Sequence, residues 1–219
     1  MVNTLPAPQD LVSDTWQSAS WEEYTLLADH PNSESGRCYY DQGWMRIEMS
    51  ALGPLHGREN SIVSTLVVLF TTLKNIRSVE LTNTTFRKIG IRDCQPDIAF
   101  YLGAAFRLPV LDNTPVDVDQ FGAPQLVIEI ASTSLSDDLG RKRLLYERLG
   151  IQEYWVVDVT VGEVFAFAVT DGGSKQIRVS KVLPGLDLDL VEEALQRAQS
   201  QEDGVINRWL LQTFNTPEA

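Results

Sequence analysis

The sequence Leu-Val-Ile-Glu-Ile-Ala, residues 126–131, is a nearly continuous apolar run that contains a single carboxylate. A run of this length is typical of a strand that is buried on both faces of a sheet. Alternation along such a strand places Val127, Glu129 and Ala131 on the same face. Burying an isolated carboxylate is costly, so Glu129 is expected to be paired, protonated or bound to a metal ion. An ion pair with a structural arginine is the alternative interpretation.

A second carboxylate stands at the start of another apolar strand. Asp97 directly follows Pro96 and begins the sequence Asp-Ile-Ala-Phe-Tyr. If this strand pairs with the one that carries Glu129, both side chains can point into one pocket. Two such carboxylates repel each other unless they share a proton or a cation, and their oxygens suit Mg²⁺ or Mn²⁺. Asp97 alone could equally be a residue that starts a turn after proline.

A lysine follows on the next predicted helix, over residues 137–149. At about 100° per residue, one stripe of this helix contains Asp138, Lys142, Leu145 and Leu149. Because the leucines should face the sheet, Lys142 is predicted to point inward, which is unusual for a lysine. Pairing with Asp138 at i, i+4 is the structural interpretation. In the functional interpretation, the ammonium faces a phosphate or the attacking water beside Glu129.

The remaining patterns predict an α/β (α+β) fold in which a mixed β-sheet is flanked by helices. Further helices are predicted over residues 21–29, 56–75 and 190–214, the last with a break near Gly204. Further strands are predicted over residues 38–40, 44–49, 78–85, 86–91, 153–159, 163–169 and 176–182. Residues 102–124 form a long connection, and such connections are often functional. The predicted organisation is an N-terminal arm (1–17), one domain with an N-terminal helix and hairpin (18–189), and a C-terminal helical tail (190–219).

The charge distribution limits the kinds of partner. The chain has 30 acidic and 18 basic side chains among 219 residues, a formal net charge of −12. That excess argues against a protein that coats nucleic acid without specificity. Residues 86–150 are nearly neutral, however, and could present a local basic surface. There Arg141 and Arg143 flank the Lys142 stripe and are predicted to lie on the surface or to contact backbone phosphates.

Two cysteines and the absence of long apolar runs indicate a cytoplasmic protein. Cys38 and Cys94 cannot make a disulfide framework, and no Cys-x-x-Cys pair suggests zinc. No apolar stretch approaches the roughly 20 residues that span a bilayer, so no membrane association is expected. The first ten residues lack the basic and apolar regions of a secretory signal.

Together, these motifs resemble the Uma2 family, a group of restriction-endonuclease-like proteins that is abundant in cyanobacteria and belongs to the PD-(D/E)xK nuclease superfamily. The resemblance extends over roughly residues 20–185. It rests on Pro96-Asp97, on residues 126–132, on Asp138 with Lys142, Tyr146 and Gly150, on residues 153–158 and 44–50, and on His56.

The resemblance implies a restriction-endonuclease-like core that hydrolyses DNA phosphodiester bonds with Mg²⁺ or Mn²⁺. Asp97 and Glu129 match the metal-binding acids of the superfamily, and the carbonyl of Ile130 would complete the protein ligands. DNA is the implied substrate. A homodimer is plausible, because cutting two strands suits two sites and twofold symmetry is common.

The chain also departs from the superfamily pattern. A lysine usually stands two residues after the glutamate, where this chain has Ala131. Uma2-like chains supply the lysine from the following helix, which is the position of Lys142. Many relatives also carry an acid in the first hairpin, and here Glu48 could serve instead. His56 is either an auxiliary ligand or, as slightly favoured, a residue at the start of the long helix without a chemical role.

Two alternatives to the nuclease remain open from the sequence. The first is a nuclease fold without turnover that binds nucleic acid or protein, which Ala131 and the acidic composition favour. The second is hydrolysis by a carboxylate pair, as in glycosidases, which needs neither a metal nor an inward lysine. Metal-dependent cleavage that is lost in Asp97→Ala would separate the nuclease from both.

Overall fold

The computed structural model of the protein describes residues 14–30, 36–49 and 53–215. The strands are β1 (Gln17–Ser18), β2 (Arg37–Asp41), β3 (Trp44–Glu48), β4 (Ser78–Thr82), β5 (Phe86–Lys88), β6 (Arg92–Cys94), β7 (Ile98–Leu102), β8 (Val116–Asp117), β9 (Leu126–Ala131), β10 (Glu153–Asp158), β11 (Glu163–Thr170) and β12 (Gly173–Ile177). The helices are α1 (Trp21–Ala28), α2 (Pro54–Leu73), α3 (Val118–Phe121), α4 (Leu135–Asp137), α5 (Arg143–Leu149), α6 (Leu188–Ala198) and α7 (Asp203–Asn215).

The larger core surrounds the central sheet, whose strand order is β12-β11-β10-β9-β7-β4. Strand β9 is parallel to β10 and antiparallel to β7, so this sheet is mixed. All six residues of β9 are buried, as the apolar run predicts for a strand that is covered on both faces. Helices α2, α6 and α7 cover one face, where Leu66, Leu195 and Leu210 belong to the same apolar cluster as Ile128.

The second sheet, called here the hairpin sheet, has the order β1-β3-β2-β6-β5-β8. The predicted hairpin of β2 and β3 turns at Gln42 and Gly43, whose φ values are 49° and 90°. Positive φ at both turn residues suits the right-handed twist of the strands that they join. Helix α1 packs on the outer face of the hairpin, where Tyr24 meets Tyr40 and Met45.

The two sheets meet through the second face of the central sheet. Val127 and Ala131 of β9 pack there with Tyr39 of β2 and Tyr146 of α5. Ile128 lies in the cluster on the opposite face. The predicted alternation along β9 is thus confirmed, and Glu129 faces the space between the two sheets.

The helix predicted over residues 137–149 is composite. Helix α4 continues into a π-helical segment, Asp138–Lys142, and then into α5. Gly140, with φ of −104° and ψ of −105°, marks a kink inside the segment. Because the backbone at Gly140 is not helical, the segment is a kink between two helices, and it bears Lys142. Gly150 ends α5 with a φ of 97°, as its position predicts.

Three predicted features differ from the structure. Two sheets replace the single predicted sheet, because the short strands β1, β6 and β8 carry too little pattern to be recognised. The strand predicted over residues 176–182 ends at Ile177, and the backbone amides of Lys181 and Val182 donate to the carboxylate of Glu153 instead of a neighbouring strand. The predicted connection of residues 102–124 supplies β8 and α3.

The predicted boundaries of the domain fall within regular elements. Gln17 belongs to β1, which pairs with β3, and α6 begins at Leu188. Residues 1–13 of the predicted arm (1–17) lie outside the described residues. Among the residues that the structure describes, no helix is both long and apolar enough to cross a membrane.

Candidate active site

A cavity of about 700 Å³, called here the cleft, opens between the hairpin sheet and the central sheet. It lies where β7 begins and β9 ends, next to the π-helical segment. Its lining is unusually rich in charge for a space between two apolar cores. The charged and titratable residues that line it are Asp14, Arg37, Arg46, Glu48, His56, Asp97, Glu129 and Lys142.

The two predicted carboxylates face each other across a strand pair. Ile98 of β7 is paired with Ile128 of β9, and continuing that antiparallel register places Asp97 opposite Glu129. Directly opposite residues have Cβ atoms about 4.5–5.5 Å apart. Both side chains are buried, each only 1% exposed. The structure therefore brings together the two acids that the sequence singled out.

Asp97 is surrounded by hydrogen-bond donors. It forms an ion pair with Arg37 of β2, and its Oδ1 lies 3.1 Å from Nε2 of His56. The backbone N–H of Ile130 donates to Oδ2 at 2.8 Å. Although burial disfavours the charge, the hydrogen bond from His56 and the Arg37 guanidinium hold the pKa of Asp97 below its usual range. Asp97 is thus a stabilised anion.

Glu129 has a different environment. The hydroxyl of Tyr146 donates to its Oε1 at 2.6 Å. Burial raises the pKa of Glu129 well above its usual range, and the nearby charge of Asp97 raises it further. The alternative from the sequence was an ion pair between Glu129 and a structural arginine. The structure shows a hydrogen bond from Tyr146 to Glu129, and Arg37 forms its ion pair with Asp97.

Lys142 points inward, as its helical stripe predicts, and is 1% exposed. Its Nζ lies 2.7 Å from Glu48 and 2.9 Å from Asp138, and 4.4 Å from the centre of the Tyr39 ring. Burial disfavours the ammonium, yet the surrounding negative groups, Glu129 among them, hold the pKa of Lys142 above its usual range. The pair with Asp138 that the structural interpretation expects is therefore present, but it is buried, and Lys142 is a cation inside the cleft that also contacts Glu48.

The hairpin contributes residues that the sequence reasoning missed. Arg37 meets Asp97, and Arg46 lies 2.9 Å from Glu48 and 3.3 Å from Asp137. In the hairpin register Arg37 is paired with Glu48, so these charged residues share one face of the hairpin. Their alternation with apolar residues was the available signal. His56, which was favoured as a residue without a chemical role, contacts Asp97 and belongs to the cleft.

The two predicted phosphate-binding arginines lie outside the cleft. Arg141 is exposed, and its guanidinium stacks on the rings of Trp16 and Trp44. Arg143 donates to Ser174 and stacks on Phe167. Arg143 is therefore occupied by contacts within the fold, whereas Arg141 presents its charge at the surface.

The chemistry of the cleft fits a hard divalent cation. Asp97 and Glu129 offer carboxylate oxygens, and the carbonyl of Ile130 points to the same side of β9 as its N–H, which faces Asp97. Oxygen donors of this kind are what Mg²⁺ takes. Arg37 already balances the charge of Asp97, so a bound cation would share that carboxylate with it. Within the described ranges, no group of three or more His, Cys, Asp and Glu side chains is arranged to hold a metal ion.

Two comparisons with known proteins gave matches, one to a family and one to a fold. The family model described as "Uma2: Putative restriction endonuclease" matches residues 21–203. The chain is also similar to a solved structure described as a "putative nuclease belonging to DUF820 from Anabaena variabilis ATCC 29413". The TM-score is 0.56 at 18% sequence identity, over 81% of this chain and 99% of that one, which shows a shared fold. A comparison with curated proteins finds no match. The predicted mixed α/β fold is confirmed.

Proposed function

Because the chain belongs to the Uma2 family of "putative restriction endonucleases", we propose that it is an endonuclease that hydrolyses DNA phosphodiester bonds with Mg²⁺ or Mn²⁺. The observation that carries this proposal is the meeting of three separate chain segments in one cleft. Asp97 precedes β7, Glu129 lies on β9 and Lys142 lies on the π-helical segment. Buried acids and a buried lysine beside them are expensive to maintain without a chemical purpose.

Each residue has a role that its surroundings support. Asp97, kept ionised by its donors, and Glu129 would hold the metal ion together with the carbonyl of Ile130. When bound, such an ion supplies Lewis-acid activation of the phosphate and lowers the pKa of a bound water. Lys142 is charged and fixed by Glu48 and Asp138. It would orient the attacking water or stabilise the negative charge that develops on the phosphate.

A second candidate function is a binding module that keeps this fold without turnover. The ion pair of Arg37 with Asp97 favours it, because a guanidinium already supplies the positive charge that the carboxylate needs. In that case Arg37 would stay paired with Asp97 when Mg²⁺ is present, no metal ion would bind there, and the cleft would bind phosphate without cleaving it. The two candidates predict different responses to a divalent cation.

The decisive experiment incubates the protein with supercoiled, linear and single-stranded DNA in Mg²⁺, in Mn²⁺ and in a chelator. The nuclease proposal expects cleavage only with a divalent cation, and none in Asp97→Ala. A matched control is Asp93→Ala, which removes a buried aspartate that pairs with Arg87 away from the cleft. Asp93→Ala is expected to lower stability without removing cleavage from the folded fraction.

The outcomes separate the candidates. DNA binding without cleavage under every metal condition would favour the binding module. Cleavage that is unaffected by chelation would exclude the metal-dependent mechanism and point to a carboxylate pair. The proposal includes a homodimer, which a mass measurement in solution would test. It also includes a cytoplasmic location.

A further inference from the structure

A second concave surface lies beside the cleft. It encloses about 250 Å³ and is called here the tryptophan–arginine surface; its members are Trp16, Asp41, Gln42, Trp44, Arg141, Leu144 and Arg148. Its charged members are Arg141, Arg148 and Asp41. Arg148 forms an ion pair with Asp41, so the positive charge that no acid of this surface pairs is that of Arg141. The mechanism proposed above makes no use of this surface.

The arrangement of its side chains is a preformed stack. The guanidinium of Arg141 lies 4.7 Å from the ring centre of Trp44 and 5.2 Å from that of Trp16. Trp44 is nevertheless 43% exposed, so much of its indole remains accessible to solvent. In the part of the chain that the structure describes, no acidic side chain forms an ion pair with Arg141. An exposed indole beside an unneutralised guanidinium is the chemistry that binds a base and its phosphate.

The tryptophan–arginine surface and the cleft lie at the two ends of one face of β3. Trp44, Arg46 and Glu48 alternate along β3 and share the face that looks toward the π-helical segment. At about 3.3 Å per residue, Trp44 stands roughly 13 Å from Glu48 along the strand. Stacked nucleotides rise about 3.4 Å each, so roughly four of them cover this distance. A nucleic-acid strand whose phosphate enters the cleft therefore reaches Trp44 within a few nucleotides.

The depth of the cleft argues for an unpaired strand. Asp97, Glu129 and Lys142 are each only 1% exposed, at the bottom of a cavity whose volume is typical of a small-ligand pocket. The cleft is lined by strand residues and by the loop of Ser132, Thr133 and Ser134. A single strand is narrower than a duplex and can bring a phosphate to these buried groups. Aromatic side chains beside such a channel bind unpaired bases, because every base has a face to stack.

We propose that the protein binds single-stranded polynucleotide, with an unpaired base stacked on Trp44 beside Arg141 and the adjoining strand leading into the cleft. This inference rests on the proposed function, since it places the strand whose phosphate would be cut. It narrows the substrate class from DNA in general to single strands or unpaired ends. Deoxyribose and ribose strands share the chemistry, and the test distinguishes them.

The test measures binding in a chelating buffer, so that no cleavage takes place. The probes are fluorescein-labelled oligonucleotides of about 12 nucleotides, as single-stranded DNA, as single-stranded RNA and as a blunt DNA duplex. Fluorescence anisotropy gives the Kd of the wild type, of Trp44→Leu and of Arg141→Gln. We expect the duplex to bind more weakly than its single strand, and each variant to lose about tenfold in affinity for the single strand.

Two further variants test whether a loss of affinity is specific to the tryptophan–arginine surface. Arg197→Gln is the matched control, because Arg197 stacks on Trp209 at 4.2 Å on α6 and α7, far along the chain from the cleft residues. Its Kd is expected to stay within about twofold of the wild type. Trp44→Phe retains an aromatic face and should restore most of the binding, whereas a general loss of hairpin structure would affect both Trp44 variants alike.

The proposal is overturned if the duplex binds as tightly as the single strand, if neither single strand binds, or if Trp44→Leu and Arg141→Gln bind like the wild type. A preference between DNA and RNA identifies the sugar and supports the proposal in either direction. Failure of the proposed nuclease function is distinct from these results. It would appear as single-strand binding that depends on Trp44 and Arg141, together with no cleavage when Mg²⁺ is restored.

Discussion

At the residue scale, Asp97 and Glu129 show how one chemical group acquires two behaviours. Both are buried carboxylates at corresponding positions of paired strands, yet the pKa of Asp97 is held low and that of Glu129 is raised. The difference follows from the surroundings. Asp97 has Arg37 and His56 as donors, whereas Glu129 accepts from the phenol of Tyr146, and the charge of Lys142 offsets its burial only in part. Pairs of titratable groups with divergent surroundings are typical of sites that handle protons.

Much of this residue pattern could be predicted. Glu129 stands out because a charge interrupts an apolar strand, and Lys142 because it shares a stripe with leucines. Arg37 could not be predicted in the same way, since its contact with Asp97 crosses from one sheet to the other. Local periodicity reports which face a side chain takes, not which distant element packs against it.

Removing the charge of Glu129 should not harm the protein in the absence of metal. In Glu129→Gln the amide oxygen can still accept from Tyr146, while the cost of a buried charge disappears. We expect the free energy of unfolding in chelator to stay equal or to rise by up to about 2 kcal/mol, and any Mg²⁺-dependent rise in Tm to be lost.

The matched control for this prediction is Glu153→Gln. Glu153 is also buried, but its carboxylate accepts from the indole of Trp155 and from two backbone amides. That variant should be clearly destabilised in thermal unfolding. A loss of more than about 2 kcal/mol in Glu129→Gln would instead make Glu129 a structural anchor.

Lys142 is expected to be needed for both cleavage and stability. Lys142→Met should abolish phosphodiester cleavage, and it should cost about 3–5 kcal/mol because Glu48 and Asp138 lose their buried partner. Lys142→Arg keeps the charge but should rescue cleavage poorly, since a planar fork does not replace a compact ammonium. Chemical unfolding and a DNA cleavage assay measure the two effects.

A double variant separates those effects. Lys142→Met/Asp138→Asn removes one of the two buried carboxylates that the loss of Lys142 leaves unpaired. This double variant should recover part of the lost stability without recovering cleavage. Full cleavage activity in either variant that lacks Lys142 would contradict the catalytic assignment and favour the binding module.

Glu59 of α2 should make stability depend on pH. It is 3% exposed, and its Oε2 has no hydrogen-bond partner among the residues that the structure describes. Burial, with Asp158 nearby, raises its pKa to about 7. The folded protein therefore holds this proton more tightly than the unfolded chain, and stability falls as pH rises from the usual glutamate range to about 7. Glu59→Gln should be more stable than the wild type at about pH 8, by about 1–3 kcal/mol, and this advantage should shrink toward about pH 5.

Urea unfolding of both proteins across this pH range checks the prediction for Glu59. The surface variant Glu163→Gln is the control and should follow the wild-type profile. Parallel pH profiles for Glu59→Gln and the wild type would show that Glu59 does not carry the dependence.

At the element scale, long and strongly patterned segments were predictable, and short ones were not. The capping box of α1 is a signal of this kind, because Ser20 and Glu23 stand three residues apart at the start of the helix. In the structure Ser20 accepts from the N–H of Glu23, whose carboxylate accepts from the N–H of Ser20. The π-helical segment has no comparable signal, because residues 138–142 read as an ordinary continuation of a helix. Its geometry depends on packing of the completed fold.

Two glycines in helical contexts should respond oppositely to alanine. Gly150 ends α5 with a φ of 97°, where a side chain is strained, so Gly150→Ala should cost about 1–2 kcal/mol. Gly57 lies inside α2, is exposed, and an added Cβ would meet no atom within 4 Å. Gly57→Ala should therefore gain about 0.5–1 kcal/mol.

Thermal unfolding of the two glycine variants in one buffer is sufficient, because each serves as the control of the other. Equal destabilisation by both would contradict the assignment of these backbone conformations.

At the scale of the whole molecule, the packing of the two sheets positions the charged residues of the cleft. Two apolar cores lie on the two faces of the central sheet, and the cleft opens where the hairpin sheet meets the second of them. The sheets hold acids, arginines and a lysine close together away from bulk water, where their interactions are strong. The sequence predicted one mixed sheet, and the cleft between two sheets could not be foreseen without their packing.

The net charge of −12 makes a further prediction about salt. A protein that is acidic overall gains little from general attraction to phosphates, so binding should depend on a few arginines at the tryptophan–arginine surface. For single strands, the slope of log K against log salt is about −0.7 for each neutralised phosphate. Arg148 is paired with Asp41, whereas Arg141 can neutralise one phosphate and should contribute about −0.7 to the wild-type slope over roughly 50–200 mM KCl. Arg141→Gln should reduce its magnitude by about 0.7, while Arg197→Gln should leave it unchanged. A wild-type slope steeper than about −4 would mean that several more cations engage the strand, and the binding surface would then have to lie elsewhere on the molecule.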